Sequence, residues 1–339
     1  MKTKFLRHAL ALVPALFLAA CGGGGGDSSG NAATAVQLAI TSANSQAVAA
    51  ESLEASASYE AAAGGASLLT GVEVDGGGAA NPLLLAKATS QLLAKVPAGP
   101  SLATGVSATE TLACSSGTLT VSYSVASTSG VLAAGDSMSF TANNCTETVG
   151  TETMRMNGTM SITILSGTFN ASGAYPRSVS MQTSASNFTV VQGGETMVAN
   201  GDVTIDLTQT SFSDAKVTLK SSRMSSKVGS HAVTLKGYTH TVTETSSGAT
   251  IQITATVETN NSRLGTGTVS YQVTTTTPIV VNSAGQVTAG VLKATGASGS
   301  NVVLTATGAD SFTVQVDADG NGTYESSNTV TRTALAGLL

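Results

Sequence analysis

The sequence lacks tryptophan and contains few aromatic or charged residues. Of its 339 residues, 4% are aromatic and 10% are charged. Carbohydrate-binding platforms usually depend on stacking aromatic rings, so this class of binding is disfavoured. The basic residues form no cluster interleaved with aromatic ones, and we therefore expect no nucleic-acid partner. Serine, threonine, glycine and alanine dominate instead, which is typical of many exported β proteins.

Histidine is also scarce, which restricts the catalytic chemistry available. His231 and His240 are nine residues apart, so on one regular strand they would face opposite sides and not share a zinc ion. Ser213 and Lys216 match a Ser-x-x-Lys pattern, but its companion motifs are absent. The sequence contains no nucleophile elbow, phosphate loop or dinucleotide fingerprint. We expect that the protein is not an enzyme.

The N-terminus has the three parts of a secretory signal. Lys2, Lys4 and Arg7 precede an apolar run from Ala9 to Leu18, and small residues follow. The apolar run is shorter than the roughly 20 residues that cross a bilayer. The sequence Leu18-Ala19-Ala20-Cys21 resembles the lipobox of bacterial lipoproteins. We interpret residues 1–20 as a lipoprotein signal peptide.

The lipobox resemblance implies that Cys21 begins the mature chain and carries acyl chains such as palmitate, which anchor it to a membrane. Gly22 follows the cysteine where an aspartate would indicate inner-membrane retention, so the expected location is the outer membrane, at its periplasmic face or the cell surface. The alternative is an ordinary secreted protein with a cysteine near its cleavage site. Residues 21–33 comprise the acylated cysteine and a flexible Gly/Ser tether.

Cys114 and Cys145 are the two cysteines that remain after Cys21. An even number in an exported protein predicts a disulfide between them. A catalytic thiol is the alternative, but neither cysteine has a histidine nearby in the sequence.

Residues 34–105 are rich in alanine and leucine and predict helices. The stretch from about Ala35 to Ala63 favours one helix, which Gly64 and Gly65 would end. A second helix would begin at Asn81 and Pro82 and end before Pro97.

From residue 106 to 339 the pattern changes to that of strands. Leu119, Val121, Tyr123 and Val125 alternate with polar residues, which indicates a strand with one apolar face. A Gly-x-apolar-x-apolar pattern recurs, which favours successive long hairpins, and two Asn-Gly pairs are candidate turn or bulge positions. The glycines of this pattern are Gly117, Gly158, Gly201 and Gly267, and the pairs are Asn157-Gly158 and Asn200-Gly201.

We count ten to thirteen strands from Thr109 onward, which predicts an α+β fold that is mostly β. Short N-terminal helices would precede a large antiparallel sheet, arranged as a curved half-barrel or a sandwich.

This β region resembles uncharacterised β-rich proteobacterial lipoproteins. The similar segments are the Gly-Thr-Leu-Thr-Val sequence after Cys114, then 132–136, 140–145 and 157–158. The resemblance implies no particular activity.

The segment from Asp317 to Glu325 has the spacing of a calcium loop. Oxygen-bearing side chains alternate and a glycine occupies the sixth position, as hard cations require. The twelfth position is Asn328, so the bidentate glutamate of an EF-hand is missing. A hairpin turn with solvated carboxylates is the alternative. The predicted calcium ligands are Asp317, Asp319, Asn321, Thr323 and Glu325.

These features predict a lipid-anchored binding or structural lipoprotein of the cell envelope, which could hold a hydrophobic ligand. Its expected partners are the membrane, through acylated Cys21, and a lipid or an envelope protein. A surface-exposed adhesion or assembly scaffold is the alternative function, and an envelope enzyme is the least favoured.

Overall fold

A computed structural model describes residues 35–56, 106–125, 132–149, 152–169, 177–192, 195–211 and 213–339. All of these belong to one structural unit, residues 34–339. The predicted signal peptide, Cys21 and its tether, and the predicted helix that begins at Asn81 lie outside the described residues.

Strands make up 70% of the described structure. The two helices are α1 (Ser45–Ser56) and α2 (Arg332–Ala336). The strands are β1 (Val36–Gln37), β2 (Val106–Ala113), β3 (Ser116–Val125), β4 (Leu132–Ala133), β5 (Ser137–Val149), β6 (Glu152–Phe169), β7 (Arg177–Gln192), β8 (Glu195–Gln209), β9 (Ala215–Val228), β10 (His231–Thr245), β11 (Gly248–Thr259), β12 (Val269–Asn282), β13 (Val287–Thr295), β14 (Asn301–Gly308), β15 (Ser311–Asp317) and β16 (Ser326–Thr331).

The strands form a large antiparallel sheet that follows the order of the chain. From one edge to the other the order is β2, β3, then β5 through β16, and the sheet is not closed. β1 adds to it in parallel beside β12, and β4 pairs with β6. The predicted α+β, mostly β fold with a large antiparallel sheet is confirmed, although the described strands outnumber the ten to thirteen expected.

The strands are long and bury one face. β6 has 18 residues, which corresponds to about 60 Å of extended chain. Along β3 the side chains of Leu119, Val121 and Tyr123 are buried, whereas Thr120 and Ser122 between them are partly exposed. Almost all of the buried apolar residues of the strands belong to a single hydrophobic cluster. The period-two pattern in the sequence therefore sets which side chains enter the core.

Helix α1 packs on the sheet through small side chains. Ten of its twelve residues are buried, among them Ala47, Val48 and Leu53. It contacts β11, β13, β14, β15 and α2. Short side chains let the helix approach closely, and almost its whole circumference is covered. Among the described residues, neither helix has the length and apolar character needed to cross a membrane.

Two Asn-Gly pairs lie at β-bulges in the middle of strands, not at hairpin turns. Asn157 Oδ1 accepts a hydrogen bond from the backbone N–H of Asn144 (3.2 Å) on β5. Asn200 Oδ1 accepts one from the N–H of Asn187 (2.7 Å) on β7. Asn144 and Asn187 both have positive φ. The same hydrogen bond, from a bulged backbone N–H to the side chain of an Asn-Gly pair, thus occurs twice, 43 residues apart along the chain.

The glycines of these pairs permit close approach of neighbouring backbones. Gly201 has φ +118°, and a Cβ placed on it would lie 2.4 Å from the carbonyl oxygen of Arg223 on β9. Gly158 has φ +108°, and its Cβ would lie 2.8 Å from the carbonyl oxygen of Asn187. Glycine is therefore required for two reasons at once, backbone conformation and space.

Replacing Gly201 with alanine should destabilise the domain by about 3 kcal/mol, because positive-φ strain and a clash with a neighbouring strand add together. The matched control is Gly237→Ala. Gly237 also has positive φ, but its Cβ would meet no atom within 4 Å. That variant should lose only about 1 kcal/mol. Urea unfolding measures both losses, and equal losses would contradict the close-approach explanation.

Candidate functional site

Cys114 and Cys145 form a disulfide, as predicted. Their Cα atoms are 5.4 Å apart, and the bridge joins the β2–β3 connection to β5. Glu147 lies close to both sulfur atoms. A disulfide has no thiolate to offer, so this group is not a metal site in its oxidised form, and neither cysteine is a free nucleophile.

The predicted calcium loop connects β15 to β16. Asp317 is the last residue of β15 and is buried, with 2% of its surface exposed, whereas Asp319 and Glu325 lie in the exposed connection. One carboxylate oxygen from each of the three lies within 4.8 Å of the others. The structure therefore brings together three of the five predicted ligands.

Backbone N–H groups hold the carboxylates of this loop in position. Asp317 Oδ1 accepts from the N–H of Asn321 (3.1 Å), and its Oδ2 accepts from the N–H of Gly322 (3.0 Å). Glu325 Oε2 accepts from the N–H of Ala318 (2.8 Å). Burial opposes ionisation of Asp317, but hydrogen bonds from Gly322, the Asn301 amide and further backbone groups outweigh it and lower its pKa.

The other two predicted ligands organise the turn. The Asn321 amide nitrogen donates to Asp319 Oδ2 (2.8 Å), and Asn321 Oδ1 accepts from the backbone N–H of Thr323 (2.7 Å). These contacts are those of a hairpin turn, and the carboxylate spacing is that of a cation site. Calcium binding by this loop stays a prediction.

A second polar cluster, which no sequence pattern predicts, surrounds Glu51. Glu51 lies on α1 and is buried, with 4% of its surface exposed. Its Oε1 accepts hydrogen bonds from Thr259 Oγ1 (3.0 Å) and Asn261 Nδ2 (2.9 Å) and lies 2.9 Å from His231 Nε2. Its Oε2 accepts from the Tyr271 hydroxyl (3.0 Å).

The Glu51 cluster fastens the helix to the sheet. Its four partners come from β10, β11, the residues after β11, and β12. Burial and the neighbouring Glu51 carboxylate raise the pKa of Tyr271 well above its ordinary value, so its hydroxyl keeps the proton it donates. Because these residues are 180 to 220 positions from Glu51, no local motif marks them. An acidic residue within an alanine-rich helix was the one available signal.

Replacing Glu51 with alanine should destabilise the domain by about 3–5 kcal/mol, because several buried donors lose their acceptor together. The matched control is Gln46→Ala on the exposed side of the same helix, with an expected change below about 0.5 kcal/mol. Urea unfolding measures both variants. A Glu51→Ala loss as small as that of the control would show that the cluster does not hold the helix.

His231 and His240 lie on the same face of the sheet, in contrast to their expected arrangement on a regular strand. A bulge at Gly237 shifts the alternation of β10, so Val233 and Tyr238 are both buried although they are five positions apart, an odd number. His231 contacts Glu51, whereas His240 is fully buried and stacks on Tyr238 with ring centroids 6.0 Å apart.

Burial makes His240 resist protonation. It lowers the pKa to about 4, against a smaller opposing effect from the backbone of Ser56 at the end of α1. Within the described residues, neither ring nitrogen has a hydrogen-bond partner of normal geometry.

The domain should therefore lose stability in acid through His240. The folded pKa of about 4 is below the ordinary value of 6.5, so the contribution is complete above pH 6.5 and is lost as the pH falls toward 4. The loss amounts to about 3 kcal/mol at most. Urea unfolding between pH 7 and 4 should show a steeper decline for the wild type than for His240→Leu. Parallel curves would contradict this prediction.

Comparisons with known proteins give no match to a protein family, a curated protein or a solved structure.

Proposed function

We propose that the protein is a lipid-anchored lipoprotein of the cell envelope, held at the outer membrane through acylated Cys21. The observation that carries this proposal is the sequence Leu18-Ala19-Ala20-Cys21 after a basic and apolar leader. Several acyl chains, at about 0.8 kcal/mol per buried methylene, would give durable attachment. The tether after Cys21 would separate the sheet domain from the lipid surface.

The Cys114–Cys145 disulfide supports an exported location, because disulfides persist in oxidising compartments. The residues around both cysteines also carry the resemblance to β-rich proteobacterial lipoproteins. The net charge of the mature chain would be −8, because the leader removes three basic residues and no acidic residue. This balance does not favour binding to nucleic acid.

The sheet domain acts as a structural or binding module in this proposal. Where the burial of side chains is described, the large apolar residues that are exposed are Val36, Leu165, Tyr324 and Leu339. The apolar faces of the long strands are buried in one cluster. This burial favours the structural version over the version that holds a hydrophobic ligand.

A surface-exposed adhesion or assembly scaffold is the second candidate. The outward face of the sheet carries cross-strand hydroxyl pairs, such as Thr109 with Ser122 (3.1 Å) and Thr218 with Thr241 (3.3 Å). Long paired strands with such a polar face suit a stiff display surface. Labelling intact cells with a membrane-impermeant reagent separates this candidate from a module that faces the periplasm.

Replacing Cys21 with serine should abolish incorporation of labelled palmitate and move the protein from the membrane fraction to the soluble fraction, because no acyl chain then holds it. Metabolic labelling in a Gram-negative host followed by membrane fractionation measures both effects. Native mass spectrometry of the released Cys21→Ser protein should give the mass of the bare polypeptide.

The matched control is the double variant Cys114→Ser and Cys145→Ser, which removes the two disulfide-bonded cysteines and should keep its palmitate. Labelling of the Cys21→Ser protein would overturn the proposed anchor. A bound lipid-sized mass would favour the version of the module that holds a hydrophobic ligand.

A further inference from the structure

We propose that the β15–β16 loop binds one calcium ion together with the start of β14 and the turn before it, and that Asn301 and the Gly299 carbonyl complete the site. This ligand set differs from the one that the sequence spacing predicts. It combines the carboxylates of Asp317, Asp319 and Glu325 with two oxygens from a segment about 16 residues earlier in the chain. The proposal does not depend on the lipid anchor.

The spacing of the carboxylate oxygens suits calcium. Oxygen ligands lie about 2.3–2.6 Å from Ca²⁺, so two ligands on opposite sides of the ion are at most about 5 Å apart. The three carboxylates offer oxygens that all lie within 4.8 Å of one another. Asp319 and Glu325 are exposed, which gives a cation access to the buried oxygens of Asp317.

No basic side chain compensates these three carboxylates within the described part of the chain. Asp317, Asp319 and Glu325 take part in no ion pair there, in contrast to Asp206, which pairs with Lys220, and Glu258, which pairs with Lys236. Asp317 is buried among neutral donors only. These donors stabilise the Asp317 carboxylate by hydrogen bonding but bring no countercharge for the three carboxylates together, and a bound cation would supply one.

Asn301 supplies an independent observation. It is buried, with 4% of its surface exposed, and its Nδ2 donates to Asp317 Oδ2 (2.9 Å) and to the Gly299 carbonyl oxygen (3.1 Å). Its Oδ1 is buried without a hydrogen-bond partner. A buried amide oxygen without a donor is destabilising, and native proteins rarely leave one so.

A half-turn of the Asn301 amide exchanges its oxygen and nitrogen. The oxygen would then lie about 3 Å from both Asp317 Oδ2 and the Gly299 carbonyl oxygen, by the geometry of the present hydrogen bonds. Three oxygens at this separation repel one another without a cation and form one face of a coordination shell around a calcium ion. In the calcium-bound form the amide oxygen would be a ligand in place of the two hydrogen bonds that Nδ2 now donates, and the nitrogen would take the position that the oxygen now occupies.

The two segments are held together independently of any ligand. A Cβ on Gly320 would lie 2.6 Å from the carbonyl oxygen of Ser298, so the loop packs directly on the turn at Ala297–Gly299. Ser298 and Gly299 both have positive φ. The backbone thus holds the proposed ligands close to one another before a cation binds.

The test is calcium titration of the full chain, purified in detergent and treated with a chelator. Isothermal titration should show one site with a Kd of about 10⁻⁴–10⁻³ M, the range of extracellular calcium modules. Calcium at 5 mM should raise Tm by roughly 2–4 °C, and magnesium should raise it less. Glu325→Gln should weaken binding at least tenfold. Asp202→Asn, an exposed carboxylate on β8, is the matched control and should leave binding unchanged.

The variant Asn301→Asp distinguishes a loop that binds calcium from a hairpin turn that binds no ion. The new carboxylate repels Asp317 in the absence of calcium but adds a charged ligand in its presence. The variant should have a lower Tm than the wild type in chelator and a larger calcium-induced rise. Equal Tm losses with and without calcium would overturn the proposal. An absence of binding heat and of any Tm shift for the wild type at 10 mM calcium would also overturn it.

Discussion

Long strands bury one face only while the alternation of their side chains stays matched to that of their neighbours. In this sheet, strands of up to 18 residues keep that match across mid-strand bulges. Each bulge adds a residue to one strand. Every later side chain of that strand would then point to the opposite face of the sheet, unless the apolar–polar alternation of the sequence also shifts by one residue at the bulge. Gly158 and Gly201 make this adjustment possible, and the Asn157 and Asn200 amides fix the bulged partner strand. The rest of the core depends on this matching.

The same constraint determines where α1 docks. The bulge at Gly237 turns the second half of β10 so that His240 faces the core, as His231 does in the first half. Glu51 of the helix contacts His231, and the helix ends at Ser56 near the ring of His240. A regular β10 would place one of these histidines on the opposite face. The register of β10 therefore determines whether both histidines lie on the face of the sheet that α1 contacts.

The sequence predicts those features that depend on neighbouring residues. Alternation identifies β3, and the spacing from Asp317 to Glu325 marks the loop that brings three carboxylates together. Three of the four recurring glycines lie at bulges, whereas Gly267 lies in the connection before β12. The arrangement of the histidines was predicted wrongly because it assumed a regular strand, although Gly237 was a local sign of irregularity. The Glu51 cluster was missed because its members lie far apart in the sequence.

Of the buried carboxylates among the described residues, Glu51 and Asp317 have opposite surroundings, and the difference bears on what each one does. Glu51 contacts four polar side chains, three of which donate hydrogen bonds to it, and the fourth is an imidazole able to donate or to carry positive charge. Its charge is satisfied within the protein, which suits a structural contact. Asp317 has the neutral Asn301 amide and backbone N–H groups, but two more carboxylates and an unpaired amide oxygen lie beside it. These oxygens have no positive charge beside them. An external cation would therefore be stabilising at Asp317 and not at Glu51.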